Sequence, residues 1–125
     1  MSTPAFEQVE PTPWPSGYGD AIAVVRVQPD HFSRVFGLTF FSGCDNLDAY
    51  EAGAIRLRSG RMLGLLRHVG SPAPGTEVHA DASDDFVSAL REFLDAFDLS
   101  VEDLSWMRDE IPVEDLRLTA QGAHA

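Results

Sequence analysis

Lysine is absent from this 125-residue chain, and all nine basic residues are arginine. Codon bias in a GC-rich genome is the simplest reading of that choice. Its physical consequence stands regardless, because each arginine carries a planar, multi-donor head suited to bidentate carboxylate pairing. Cysteine is nearly absent: Cys44 alone cannot close an internal disulfide, and one reduced thiol fits a reducing cytoplasm. No apolar run approaches the ~18 residues that a membrane helix needs. The opening stretch MSTPAFEQVEPTPWPSG has no positive start followed by an apolar segment, so no secretory signal is expected.

Catalytic signatures are missing as well. The chain holds no G-x-S-x-G, H-E-x-x-H, G-x-x-x-x-G-K-[ST], C-x-x-C or G-x-G-x-x-G pattern. Positive charge is scarce overall: twenty acids against nine arginines leave a net charge of −11. Like-charge repulsion therefore argues against direct binding to a phosphate backbone.

The charge that is present is segregated. Residues 71–125 hold 13 acids and three arginines, whereas residues 31–70 hold five arginines and three acids. The chain is long enough for one domain with a real hydrophobic core. Residues 1–19 carry four of the eight prolines with Gly17 and Gly19. They read as an extended arm, disordered or lying along the domain, with Trp14 and Tyr18 as aromatics for intramolecular packing. The expected domain spans 20–118, and 119–125 is a frayed tail.

Within that domain AIAVVRV, 21–27, is β-branched and strand-like and ends at Pro29. Asp30 is placed to cap a helical turn over 31–36, with Gly37 as its stop. LTFF, 38–41, reads as a second strand, and 42–51 as a polar loop. AGAIRLR and RMLGLLRHV flank Ser59-Gly60 as a β-hairpin with a two-residue turn. That register sets Leu57 opposite Met62 and Ile55 opposite Gly64, with Arg56, Arg58, Arg61 and Arg67 on the other face. TEVHAD, 76–81, is a further short strand.

Residues 84–97 have the helical period: Phe86, Val87, Leu90, Phe93, Leu94 and Phe97 fall within an arc of roughly 120°. Asp84, Asp85, Glu92, Asp95 and Asp98 fill the opposite side, with Ser83 as the expected N-cap. SVEDL at 100–104 and PVEDL at 112–116 both look like helix starts. The fold class expected is α+β: a small, mainly antiparallel sheet packed by one long amphipathic helix and short C-terminal helical segments.

Three groups of residues are candidates for function. The first is the acidic surface of 81–115, where twelve acids accompany two arginines. Self-repulsion at that density is unfavourable and a basic partner would relieve it. Trp106, standing among acids, has the character of an interface anchor. The expected partner-binding residues are Asp84, Asp85, Glu92, Asp95, Asp98, Glu102, Asp103, Trp106, Asp109 and Glu110. The second group is Cys44, Asp45, Asp48 and Glu51, with His68 or His79, as the site of a small enzyme or ligand binder. Asp45 beside Cys44 opposes thiolate formation, which weighs against that use. The third comprises His79 and Asp81, joined by His31 and His68 around a metal; their spacing is not that of ligands, so no metal or cofactor is expected.

The leading expectation is a non-enzymatic bacterial binding protein of immunity-protein or antitoxin type, which neutralises a basic protein effector, possibly a nuclease, by electrostatic masking. A homo-oligomeric adaptor domain is a further alternative. The partner's identity and the oligomeric state are left open by the sequence.

Overall fold

In a computed structural model, which describes residues 5–9, 19–45, 48–70 and 75–116, the chain forms an antiparallel sheet with helices packed on it, an α+β arrangement. The strands are β1 (Phe6–Val9), β2 (Asp20–Val25), β3 (Phe41–Asp45), β4 (Asp48–Leu57), β5 (Met62–His68), β6 (Thr76–Ala80) and β7 (Leu104–Met107). The helices are α1 (Pro29–Phe36) and α2 (Phe86–Ala96), and a 3-10 turn at Val101–Asp103 leads into β7. Helical backbone resumes at residues 113–116. Strand order is β1-β4-β5-β6-β2-β7, and β3 shares with β1 the same long neighbour, β4.

The β4–β5 hairpin differs from expectation by one residue. Leu57 N–H donates to the Arg61 carbonyl, and Ile55 stands opposite Leu63 while Arg56 stands opposite Met62. The connection is therefore the three residues 58–60, closed by Gly60 at φ +98°. A three-residue turn with glycine in the left-handed region is a common hairpin connection. Because side chains alternate faces, the shift transfers Leu63 and Leu65 to the face that holds Ile55 and Leu57. Arg58 and Arg61 consequently do not oppose each other, which removes the like-charge contact of the two-residue register.

All four of those side chains are buried, and they form one core with Ala23, Val25, Val78 and Ala80 of the same sheet face. Both helices cover this face. Phe93 and Phe97 of α2 and its end meet Phe32 of α1, with ring centroids 6.2 and 5.2 Å away. Phe6 of β1 stacks on Phe97 at 4.5 Å, and Phe36 meets it edge-on at 5.0 Å. Such offset and edge-to-face pairs add to the area term of burial.

Local signals placed the helices well and the strands unevenly. α1 starts with Pro29 after Gln28 and stops at Gly37, φ +75°, as the glycine implied. Asp30 does not cap it; from the first turn its carboxylate accepts from Arg34 Nε at 2.7 Å. α2 runs eleven residues, so it is of ordinary rather than unusual length. Its N-cap is Asp85, which accepts from the N–H groups of Val87 and Ser88, while Ser83 hydrogen-bonds Asp81 instead.

Two segments are corrected. Residues 42–51, expected as a loop, make up the β3–β4 hairpin, with Ser42 opposite Glu51 and Asp45 opposite Asp48. Residues 100–107, expected to be helical, make one 3-10 turn and then β7. Ser100 and Asp103 do form the reciprocal cap, Ser100 N–H donating to Asp103 Oδ2 at 2.8 Å. The chain then extends because LSWM pairs with the exposed edge of β2. Within the expected arm, 6–9 form an edge strand along β4; Trp14, Tyr18 and the tail 119–125 lie outside the described residues.

Phe97 contacts four other rings and is 1 % exposed. Replacing it with alanine is expected to cost about 3–5 kcal/mol, read as a lower urea midpoint at unchanged m-value. A loss below about 1 kcal/mol, the range of surface changes, would show that this aromatic cluster does not organise the core.

Candidate functional site

The arginines of the central hairpin are mostly engaged within the chain. Arg61 Nε donates to Asp84 at 3.0 Å and its Nη1 to Glu92 at 3.1 Å, joining the hairpin turn to α2. The hydrogen bond to Asp84 is the main reason its guanidinium is held above its ordinary pKa. Burial pushes the Glu92 carboxyl up, but hydrogen bonds from Ser59 N–H and from Arg61 bring it below the usual carboxylate range. Arg56 pairs with Glu7 of β1 at 2.7 Å. Arg108 reaches Glu110 at 3.1 Å, Asp20 at 3.5 Å and the Ala21 carbonyl.

These contacts divide the ten expected partner-binding residues. Asp84 and Glu92 are committed to Arg61, Asp85 to the start of α2, Asp103 to the Ser100 cap and Glu110 to Arg108. Asp95, Asp98 and Asp109 are exposed and make no side-chain hydrogen bond or ion pair with the described residues. Glu102 is exposed too. Asp98 adopts φ +54°, a left-handed conformation that aspartate tolerates better than most residues and that turns the chain out of α2.

Trp106 is 48 % exposed and lies in β7, the last strand of the sheet order. Asp98 and Glu102 precede this strand, and Asp109 and Glu110 follow it. An aromatic side chain therefore sits in a strand with acids at both ends. Of the three acids outside those pairings, Asp98 and Asp109 flank this strand and Asp95 lies on α2.

The other candidates are rearranged. Cys44 is exposed in β3 opposite Ala49, and no described histidine hydrogen-bonds it. Glu51 stands opposite Arg67 and, with Gln28, Asp30, Ser33 and Phe40, lines a depression of about 300 Å³ beside the start of α1. Cys44, Asp45, Asp48 and Glu51 thus occupy three rungs of a ladder, Asp45 and Asp48 sharing one, rather than one convergent loop. His31 packs against Phe32 and Phe36 on α1, apart from the other histidines.

His68 and His79 do come together, through Glu77 rather than Asp81. Glu77 Oε1 lies 3.0 Å from His79 Nε2, and Oε2 lies 3.3 Å from His68 Nδ1. His79 is 8 % exposed and its second ring nitrogen is 3.4 Å from the Gly19 carbonyl. Tyr50 meets the His68 ring edge-on at 6.5 Å. This cluster sits on the sheet face opposite the helices, because Glu77 is opposite Leu66, and Leu66, Ala52 and Ala54 are buried outside the main core. Alternation along TEVHA was the only sequence signal for it, and the cross-strand partner on β5 was hidden by the register. Among the described residues no group of three or more His, Cys, Asp or Glu side chains is arranged to hold a metal ion. No described helix is long and apolar enough to cross a membrane.

No family model, curated protein or solved structure matches the chain.

The hydrogen bond from His79 is the main reason the Glu77 carboxyl is held below its ordinary pKa, with burial acting against it. A depressed folded-state pKa adds stability that is present above the unfolded value and disappears as pH falls through the folded one. The stability gap between the parent chain and Glu77→Gln is therefore expected to shrink steadily as pH drops from about 5 to about 3, followed by urea unfolding at each pH. A gap that is constant across that range would show that Glu77 gains nothing from its imidazole neighbours.

Proposed function

We propose that this is a non-enzymatic binding protein of immunity-protein or antitoxin type, which neutralises a basic protein effector by masking it electrostatically. The observation that carries this reading is the exposed Trp106 in an edge strand with Asp98 and Glu102 before it and Asp109 and Glu110 after it. The arrangement matches an interface with an aromatic anchor and a charged rim.

The excess of acid supports a partner of opposite sign. Within residues 81–115 Arg91 and Arg108 are the two cations, and both are turned inward: Arg91 donates to the Asp115 carbonyl, and Arg108 holds Asp20 and Glu110. Asp95, Asp98 and Asp109 stay in water. Carboxylates in a row resemble phosphates in charge, so a nuclease whose basic site accepts a phosphate backbone is the effector they best suit. Long-range attraction of this sort speeds encounter and weakens with salt, while the desolvated anchor sets the lifetime of the complex.

The working compartment follows from the same chemistry. A single exposed thiol, Cys44, remains free in a reducing cytoplasm, where a neutraliser meets an effector made in the same cell.

Affinity capture with the tagged chain from its source organism is expected to retain a basic protein whose binding weakens at least tenfold between about 50 and 500 mM salt. Trp106→Ala is expected to cost about 2 kcal/mol or more of binding with an unchanged thermal midpoint. Asp98→Asn with Asp109→Asn is expected to slow association more than it speeds dissociation. Capture of no basic protein, or a complex indifferent to both salt and Trp106, rules the reading out.

A further inference from the structure

We infer that β7 is itself the docking strand: a basic, extended segment of the partner adds to its open edge as a further antiparallel or parallel strand. This rests on the basic-partner reading above and specifies how the partner is held. β7 pairs with β2 on one side, and among the described residues no strand occupies the other.

The hydrogen-bond pattern shows which groups the edge offers. Arg108 N–H donates to the Ile22 carbonyl, and the Asp103 carbonyl accepts from Arg26 N–H. In an antiparallel ladder bonded pairs alternate with unbonded ones. Met107, one residue inside Arg108, therefore turns both its N–H and its C=O away from β2. Leu104, one residue inside Asp103, does the same with its C=O, while its N–H donates back to Val101. Between them the register shifts at Ser105, whose hydroxyl donates to the Val24 carbonyl at 3.3 Å. The edge is short and bulged, but it holds a donor and two acceptors at the spacing of an added strand.

Charge decides what can occupy it. Two copies of this chain joined edge to edge, with Leu104 opposite Met107, would bring the 3-10 turn that holds Glu102 in each copy next to the turn that holds Asp109 in the other. Like charges brought close at the ends of a strand pair disfavour it, and proteins commonly guard exposed edges with charge, shortness and bulges. β7 is short and bulged, and acids lie beyond both of its ends. The acids beyond both ends of β7 favour a strand that carries arginine or lysine over a second acidic copy. Trp106 opposes Val24, which opposes Glu77, so its ring lies on the face opposite the helices, where an apolar residue of the added strand can cover it.

The test uses the full chain and a set of ten-residue peptides that alternate arginine with valine or threonine. A matched set carries N-methyl groups on alternate amides, in either phase, and an acid-for-arginine set serves as control. Amide exchange is followed residue by residue by NMR. The expected result is salt-sensitive binding of the basic peptides, slowing of Met107 amide exchange by tenfold or more, and loss of binding when one phase of amides is methylated but not the other. Asp109→Asn should weaken the same peptides severalfold without moving the thermal midpoint. Peptides that bind with Met107 exchange unchanged, or no binding by any basic peptide at millimolar concentration, overturn strand addition. If a basic protein is nevertheless captured in a salt-sensitive, Trp106-dependent way, the basic-partner reading stands and only this mode of docking fails.

Discussion

The connection between β4 and β5 controls the structure on both sides of the sheet. Residues 58–60, closed by Gly60, place Ile55, Leu57, Leu63 and Leu65 together. Only with that parity does one face become continuous enough for α1 and α2 to bury Phe32, Phe93 and Phe97 against it. The same parity puts Arg61 at the rim, where Asp84 and Glu92 meet it and fasten the turn to α2. On the opposite face it aligns Leu66 with Glu77 and brings His68 within reach of the same carboxylate.

Charge is distributed on the scaffold that this register builds. Arginine recruits carboxylates in pairs, and Arg61 and Arg108 each hold two. The central hairpin therefore presents little uncompensated positive charge. Of the acids left over, Asp95 lies on α2 while Asp98 and Asp109 flank β7, the strand that closes one end of the sheet. An exposed tryptophan stands in that strand with carboxylates before and after it, the arrangement on which the proposed basic partner rests.

Some of this was legible in residues alone. The helical period of 86–97, the Gly37 stop of α1 and the Ser100 cap are local signals, and they appear where the chain put them, whereas α1 begins at Pro29 rather than under an Asp30 cap. The polar, glycine-bearing stretch at 42–51 misled because its strand character comes from pairing with β5 and not from its own propensity. LSWM misled for the same reason: it extends because β2 has an unfilled edge. Of the candidate site, Trp106 among acids could be seen in one dimension, but which acids were already committed could not.

The sequence by itself determined the composition of each face and the sign of the charge that each segment carries. It also determined that the chain has one cysteine, no lysine and none of the catalytic motifs named above. Tertiary structure decided the register of the hairpin, the identity of the edge strand and the meeting of His68, Glu77 and His79. The physical reason is parity. Alternation along a strand says that two faces exist, but a single residue in a turn decides which is buried. Only the paired sheet shows which backbone groups are left over.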